Sequence, residues 1–173
     1  MSKAAQYSAV EPLRDGSQIE IRAFAPEDRP ALIAAVGEVG PRSRYLRFFT
    51  LKREFSERER EFFLNIDFDQ HVALVAVAEE AGQKHLVGAG RYVGVEPGKA
   101  EVAFTVIDRC QGQGIGKALV RHLVIVAREA GLHELVAEVL PENRSMLHLF
   151  QKCGLPVSVV SEPDVVHITM RLR

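Results

Sequence analysis

Residues Gln111-Gly112-Gln113-Gly114-Ile115-Gly116-Lys117 set three glycines at alternate positions between a strand-like run, 101–107, and a helix-like run, 118–130. A glycine-rich loop opening a helix presents backbone N–H groups to one point and suits a phosphate. Two phosphate motifs do not fit. A Walker A loop needs a glycine where this chain has Gln111, and a hydroxyl where it has Ala118. A dinucleotide fingerprint, G-x-G-x-x-G, fails at Lys117 when read from Gly112 and at Leu119 when read from Gly114. A turn with no ligand is the plain structural alternative.

The pattern that remains, Gln-x-x-Gly-x-Gly, resembles the acetyl-CoA pyrophosphate loop of the Gcn5-related N-acetyltransferases, the GNAT family. A second segment carries the same resemblance: Asn143 opens a helix-like run, Phe150 follows seven residues on, and Lys152 and Gly154 stand at its end. Read from physics alone, Asn143 is a good N-cap, and Met146, Leu149, Phe150 and Cys153 share a helical face. Gly154 suits the position after the helix.

The resemblance implies an acetyl-CoA co-substrate and an amine acceptor. Backbone groups of Phe104, Thr105 and Val106 would pair with the pantetheine arm, and one backbone N–H there would polarise the thioester carbonyl. Gln111, Gly112, Gln113, Gly114, Ile115, Gly116 and Lys117 would hold the pyrophosphate, with Asn143 and Phe150 completing the cofactor site. A lysine amine with a pKa of ~10.4 is deprotonated about once in 10³ at neutral pH, a deficit of roughly 4–5 kcal/mol that a general base offsets. Glu101 is the candidate base. Alternation puts it with Ala103 and Thr105 on one strand face, and an acid on an otherwise apolar central strand is costly to bury unless it works or is paired. The run Ala100-Glu101-Val102-Ala103-Phe104-Thr105-Val106 also resembles the strand bearing the catalytic Glu in bacterial protein-lysine acetyltransferases that act on acyl-CoA synthetases. The segment containing Arg44, Tyr45, Arg47 and Phe48 resembles their acceptor region, and these four residues are candidate substrate contacts; core packing and solvent exposure are the bland alternatives. One departure matters. Many family members carry a tyrosine where this chain has Phe150, so no residue is assigned as general acid.

These residues need a scaffold. The stretch 17–24 alternates as a first strand, Ala25-Pro26-Glu27-Asp28 reads as a helix start, and 56–66 reads as a second helix with a Ser56–Glu59 capping box. Strands follow at 71–78, 86–95 and 101–107, then a helix over 117–130, a strand at 135–140, the Asn143 helix, and a closing hairpin of 157–160 with 165–172. Early hairpins and one late β-α-β crossover indicate an α/β fold with a mixed sheet. The order agrees with the GNAT fold, a mostly antiparallel sheet whose strands four and five, 101–107 and 135–140, run parallel and splay apart. A single domain over 1–173 is expected, with 1–16 as a flexible N-terminus.

The chain's 173 residues are 47% hydrophobic with a net charge of −1, which allows one proper core and gives no electrostatic argument for nucleic acid or an anionic membrane. No apolar run approaches the roughly 20 residues of a membrane helix, and no secretory signal opens the chain. The two cysteines do not suggest a disulfide framework, and the six histidines lack ligand spacing, so no metal is expected. A cytoplasmic monomer or homodimer is the simple reading. Three functions remain: an N-acetyltransferase acting on a protein lysine, the same chemistry on a small amine such as a polyamine, amino acid or antibiotic, and a non-catalytic acyl-CoA-binding module.

Overall fold

The computed structural model describes residues 3–37, 65–107, 110 and 112–172. Eight strands form one sheet in the order β1-β2-β3-β4-β5-β6-β8-β7. They are β1 (Ser8–Pro12), β2 (Gln18–Ala23), β3 (His71–Glu80), β4 (Gln83–Glu96), β5 (Lys99–Val106), β6 (Glu134–Val139), β7 (Val157–Ser161) and β8 (Val166–Arg171). Among the described residues the α-helices are α1 (Arg29–Gly37), α2 (Ile115–Glu129) and α3 (Arg144–Gln151). Every pairing is antiparallel except β5 with β6, which α2 connects as a crossover. This is the expected mixed sheet. The parallel pair expected as strands four and five is β5 and β6, because one more strand precedes it.

That extra strand corrects the expectation of a flexible 1–16. Ser8–Pro12 pairs antiparallel with β2 across the whole of its length. Its side chains are all exposed or half-buried, so it carries no apolar alternation by which a sequence could announce it. It is held from below: the Tyr7 hydroxyl shares a hydrogen bond with His122 Nδ1 on α2 at 2.5 Å, and Glu11 pairs with Arg121 of the same helix. His122 Nε2 lies 2.9 Å from Glu11.

The core sits on both faces of the sheet's centre. Residues 71–77 of β3 are buried without a break, the signature of a strand covered on both sides. Helix α2 lays Ile115, Leu119, Leu123 and Val126 onto one face. Leu119 and Leu123 are fully buried, each contributing about 1.5–3 kcal/mol of apolar transfer. The helix expected over 56–66 falls almost wholly outside the described residues.

The entry to α1 is set by one carboxylate. Asp28 closes the turn Pro26–Asp28 by accepting from Ala25 N–H at 2.7 Å, and takes both terminal nitrogens of Arg22 at 2.7 and 2.8 Å. Burial acts to raise the Asp28 pKa, but the Arg22 guanidinium and the Ala25 amide outweigh it and hold the group below its ordinary value. A lowered folded-state pKa means the stabilisation is complete above the unfolded value of about 3.9 and is lost as pH falls through the lower folded value. Asp28→Asn is expected to cost about 2 kcal/mol in urea unfolding at neutral pH and to flatten the acid limb of the stability profile, since the variant has no carboxyl to protonate.

Candidate active site

Strands β5 and β6 pair over three positions only, Lys99 with Glu134, Ala100 with Leu135 and Glu101 with Val136. The closed end is pinned where the Gly98 carbonyl accepts from His133 N–H at 2.8 Å and Glu134 N–H at 3.1 Å. Beyond Glu101 the strands diverge, and β5 continues to pair only with β4. The opening is a cleft of about 80 Å³ lined by Glu101, Val102, Phe104, Ala137, Glu138, Asn143 and Phe150 among others. The rings of Phe104 and Phe150 meet at its floor with centroids 6.0 Å apart. Phe150 is 1% exposed and stands at the cleft, so the position expected for a tyrosine hydroxyl is filled by a ring with no proton to give.

Asn143 has a visible structural duty. Its side-chain oxygen accepts from Met146 N–H at 3.2 Å, capping α3, and the residue is buried at the cleft wall. Met146, Leu149, Phe150 and Cys153 pack toward the core as their spacing predicts, while His148 faces outward.

The glycine loop meets α2 as the pattern predicts. Gly112 and Gly114 adopt φ of +82° and +95°, and Gly114 is the N-cap of α2 with no side chain capping it. A Cβ at either position would meet nothing within 4 Å, so these glycines serve the left-handed backbone rather than a tight fit. The Gly114 carbonyl takes the Ala118 N–H at 3.0 Å, which leaves the N–H groups of Ile115, Gly116 and Lys117 without intrahelical acceptors. A Cβ on Gly116 would lie 3.5 Å from Leu149 and 3.9 Å from Val106, so α2, α3 and the end of β5 converge beside the loop.

A different glycine, missed in the sequence, lets this happen. On β4, Gly90 pairs with Phe104, and a Cβ there would sit 2.7 Å from the Phe104 ring. The ring occupies the space of the missing side chain. The alternation Gly88-Ala89-Gly90 was a readable hint of close backbone approach.

Glu101 lies where the ladder ends. Val102 and Phe104 are buried beneath α2, and Glu101 is on the opposite face, as alternation predicts. It is exposed rather than buried, which corrects the argument from the cost of burying an acid. Along the same face its row continues through Val93 to His71. Burial and the Arg91 guanidinium push the His71 pKa down to about 4, so its Nε2 is an acceptor, 3.2 Å from Arg91 Nη1. Thr105 is half-buried on this face four residues beyond Glu101. Arg44, Tyr45, Arg47, Phe48 and Gln111 lie outside the described residues. Among the described residues, no group of three His, Cys, Asp or Glu side chains could hold a metal, and no helix is long and apolar enough to cross a membrane.

The sheet opens between two parallel strands with the α2 N-terminus beside the end of β5, an α/β transferase-type arrangement that comparison with known proteins makes specific. Residues 42–155 match the Acetyltransferase (GNAT) family. The chain is 34% identical over 156 residues to Acetyltransferase PA5475 of Pseudomonas aeruginosa, covering 90% of this chain and 83% of that one. It is 28% identical over 144 residues to Acetyltransferase Pat of Mycolicibacterium smegmatis, covering 82% of this chain and 42% of that protein. The crystal structure of the GNAT domain of S. lividans PAT superposes with a TM-score of 0.85 at 32% identity, over 95% of this chain and 96% of that one. The chain belongs to the GNAT family: it is an N-acetyltransferase that takes acetyl-CoA as co-substrate and an amine as acceptor.

Gly114→Val forces a β-branched side chain into left-handed backbone, a strain of roughly 1–2 kcal/mol or more at the loop. Calorimetric titration with acetyl-CoA is expected to show a Kd raised about tenfold or more. An unchanged Kd would remove the loop from the cofactor site.

Proposed function

We propose that the chain transfers acetyl from acetyl-CoA to a protein lysine, with Glu101 as general base. The observation that carries this reading is the position of Glu101 on the last rung of the β5–β6 ladder, at the edge of the cleft and on the face turned away from α2. The likeness of the strand around Glu101 to that of bacterial protein-lysine acetyltransferases supports a protein acceptor.

In this reading the pantetheine arm enters the gap beside Phe104, Thr105 and Val106, whose strand has no β6 partner there. The amides from Gly112 through Gln113, Gly114, Ile115 and Gly116 to Lys117 receive the pyrophosphate, helped by the positive end of the α2 dipole and the Lys117 ammonium. Asn143 and Phe150 bound the arm on the far side of the gap. Glu101 takes one proton from the acceptor ammonium. The neutral nitrogen then attacks the thioester carbon, a C–N bond forms and the C–S bond breaks. The nitrogen's second proton leaves for the CoA sulfur or for water. With Phe150 where a tyrosine would donate, the thiolate departs without a protein acid, which a thiol leaving group tolerates. A β5 backbone N–H stabilises the oxyanion.

Acetyl-labelled acetyl-CoA incubated with the protein and a bacterial lysate is expected to put label into protein. Glu101→Gln is expected to lower that rate by about 10²–10³-fold while acetyl-CoA binding stays within about twofold. Label confined to small molecules would move the acceptor to a free amine, and full activity in Glu101→Gln would remove the base assignment.

A further inference from the structure

We propose that Glu138 determines acceptor specificity by holding the cationic amine across the cleft from Glu101; the inference rests on the acetyl-transfer reading above. Along β6, Leu135, Ala137 and Val139 are buried, so Glu134, Val136 and Glu138 occupy the other face. Val136 is the parallel partner of Glu101 and shares its face, which puts Glu138 on that face two residues further along. Strand spacing and rise set the two glutamate Cα positions about 8 Å apart, more as the strands splay. One carboxylate therefore stands on each lip of the gap where the thioester is expected.

The rest of the lining gives this pair its meaning. Among the described residues that line the cleft, Glu101 and Glu138 are the charged ones; the others are apolar save Asn143, whose oxygen is taken by the cap of α3. Among the described residues, the cleft lining offers two anions and no cation, which favours an acceptor that arrives as an ammonium. It disfavours amines that carry a carboxylate next to the reacting nitrogen, such as free amino acids. The work is divided by position. Glu101 sits at the vertex of the gap, where deprotonation is needed. Glu138 sits further out, with its side chain 56% exposed, where an approaching amine meets it first.

The outer flank of Glu138 is also occupied. His167 is its antiparallel partner on β8, with Nδ1 3.8 Å from Glu138 Oε1 and Nε2 3.3 Å from Glu162 Oε2. These contacts are exposed and each is worth little.

The test is a split of kinetic constants with the amine that takes up label, a lysine peptide blocked at its N-terminus being the first probe. Glu138→Gln is expected to raise the acceptor KM about tenfold with kcat within about twofold, and Glu138→Asp to recover most of the loss. Acetyl-CoA affinity and thermal midpoint, unchanged in both variants, exclude misfolding. Glu101→Gln should show the reverse pattern, a loss in kcat. An unchanged acceptor KM in Glu138→Gln overturns the proposal. So does a kcat loss at unchanged KM, which would make Glu138 the base. Wild-type protein that acetylates neither the peptide nor any lysate amine overturns the acceptor reading itself, a result distinct from turnover with an unaltered KM.

Discussion

Parallel strands β5 and β6 share three rungs and then part, and the site exists because they part. A continuous ladder would close the gap with backbone hydrogen bonds and leave no path for a cofactor arm. Two opposed features set the divergence. At one end the Gly98 carbonyl and the Lys99–Glu134 pair hold the strands together; at the other the Phe104 and Phe150 rings fill the space between the sheet and α3. The ion pair is half-exposed and contributes little, so the closed end depends on its backbone bonds. The open end depends on buried aromatic area, which is non-directional and tolerates strands that do not pair.

The glycines of β4 act on the other side of the same constraint. With no side chain at Gly90, the Phe104 ring packs close against β4, and α2 comes down onto the sheet through Ile115 and Leu119 near Gly88. This close packing fixes the height of the α2 N-terminus relative to the end of β5. The loop therefore sits beside the end of β5, where the gap opens. Asn143 joins the second helix to it by spending its side-chain oxygen on a cap at the cleft wall.

The two faces of β5 divide the labour. Val102 and Phe104 belong to the core under α2, and Glu101 belongs to the open face, in a row with Val93 and His71. A strand one residue out of register would bury the carboxylate and expose the phenylalanine. The register is secured by the long β4–β5 pairing, so the placement of the acid is a property of the sheet and not of the residue. The departure at Phe150 has a related reading. That ring is core as much as site, and a hydroxyl at its tip would need a partner in a place built from apolar groups.

Much of this was legible in the chain itself. The glycine loop and the amphipathic run after it announced α2, because a left-handed N-cap and a 3.6-residue apolar period are local properties. Asn143 as a cap, the apolar face of α3 and the alternation around Glu101 were equally local. What stayed hidden was non-local. β1 has no buried face to pattern, and it belongs to the sheet only through its pairing with β2 and its contacts with α2. The exposure of Glu101 contradicted the expectation of a buried acid because local alternation gives a face but not what covers it. Glu138 carried no signal in the sequence; the parallel register sets it on the same face as Glu101. Sequence by itself determined the elements and the backbone geometry of the loop, since those follow from periodicity and from where glycine alone is comfortable. Only the tertiary structure decided where β5 and β6 stop pairing, and so which two carboxylates face each other, because a register between distant strands is set by the packing of the whole sheet.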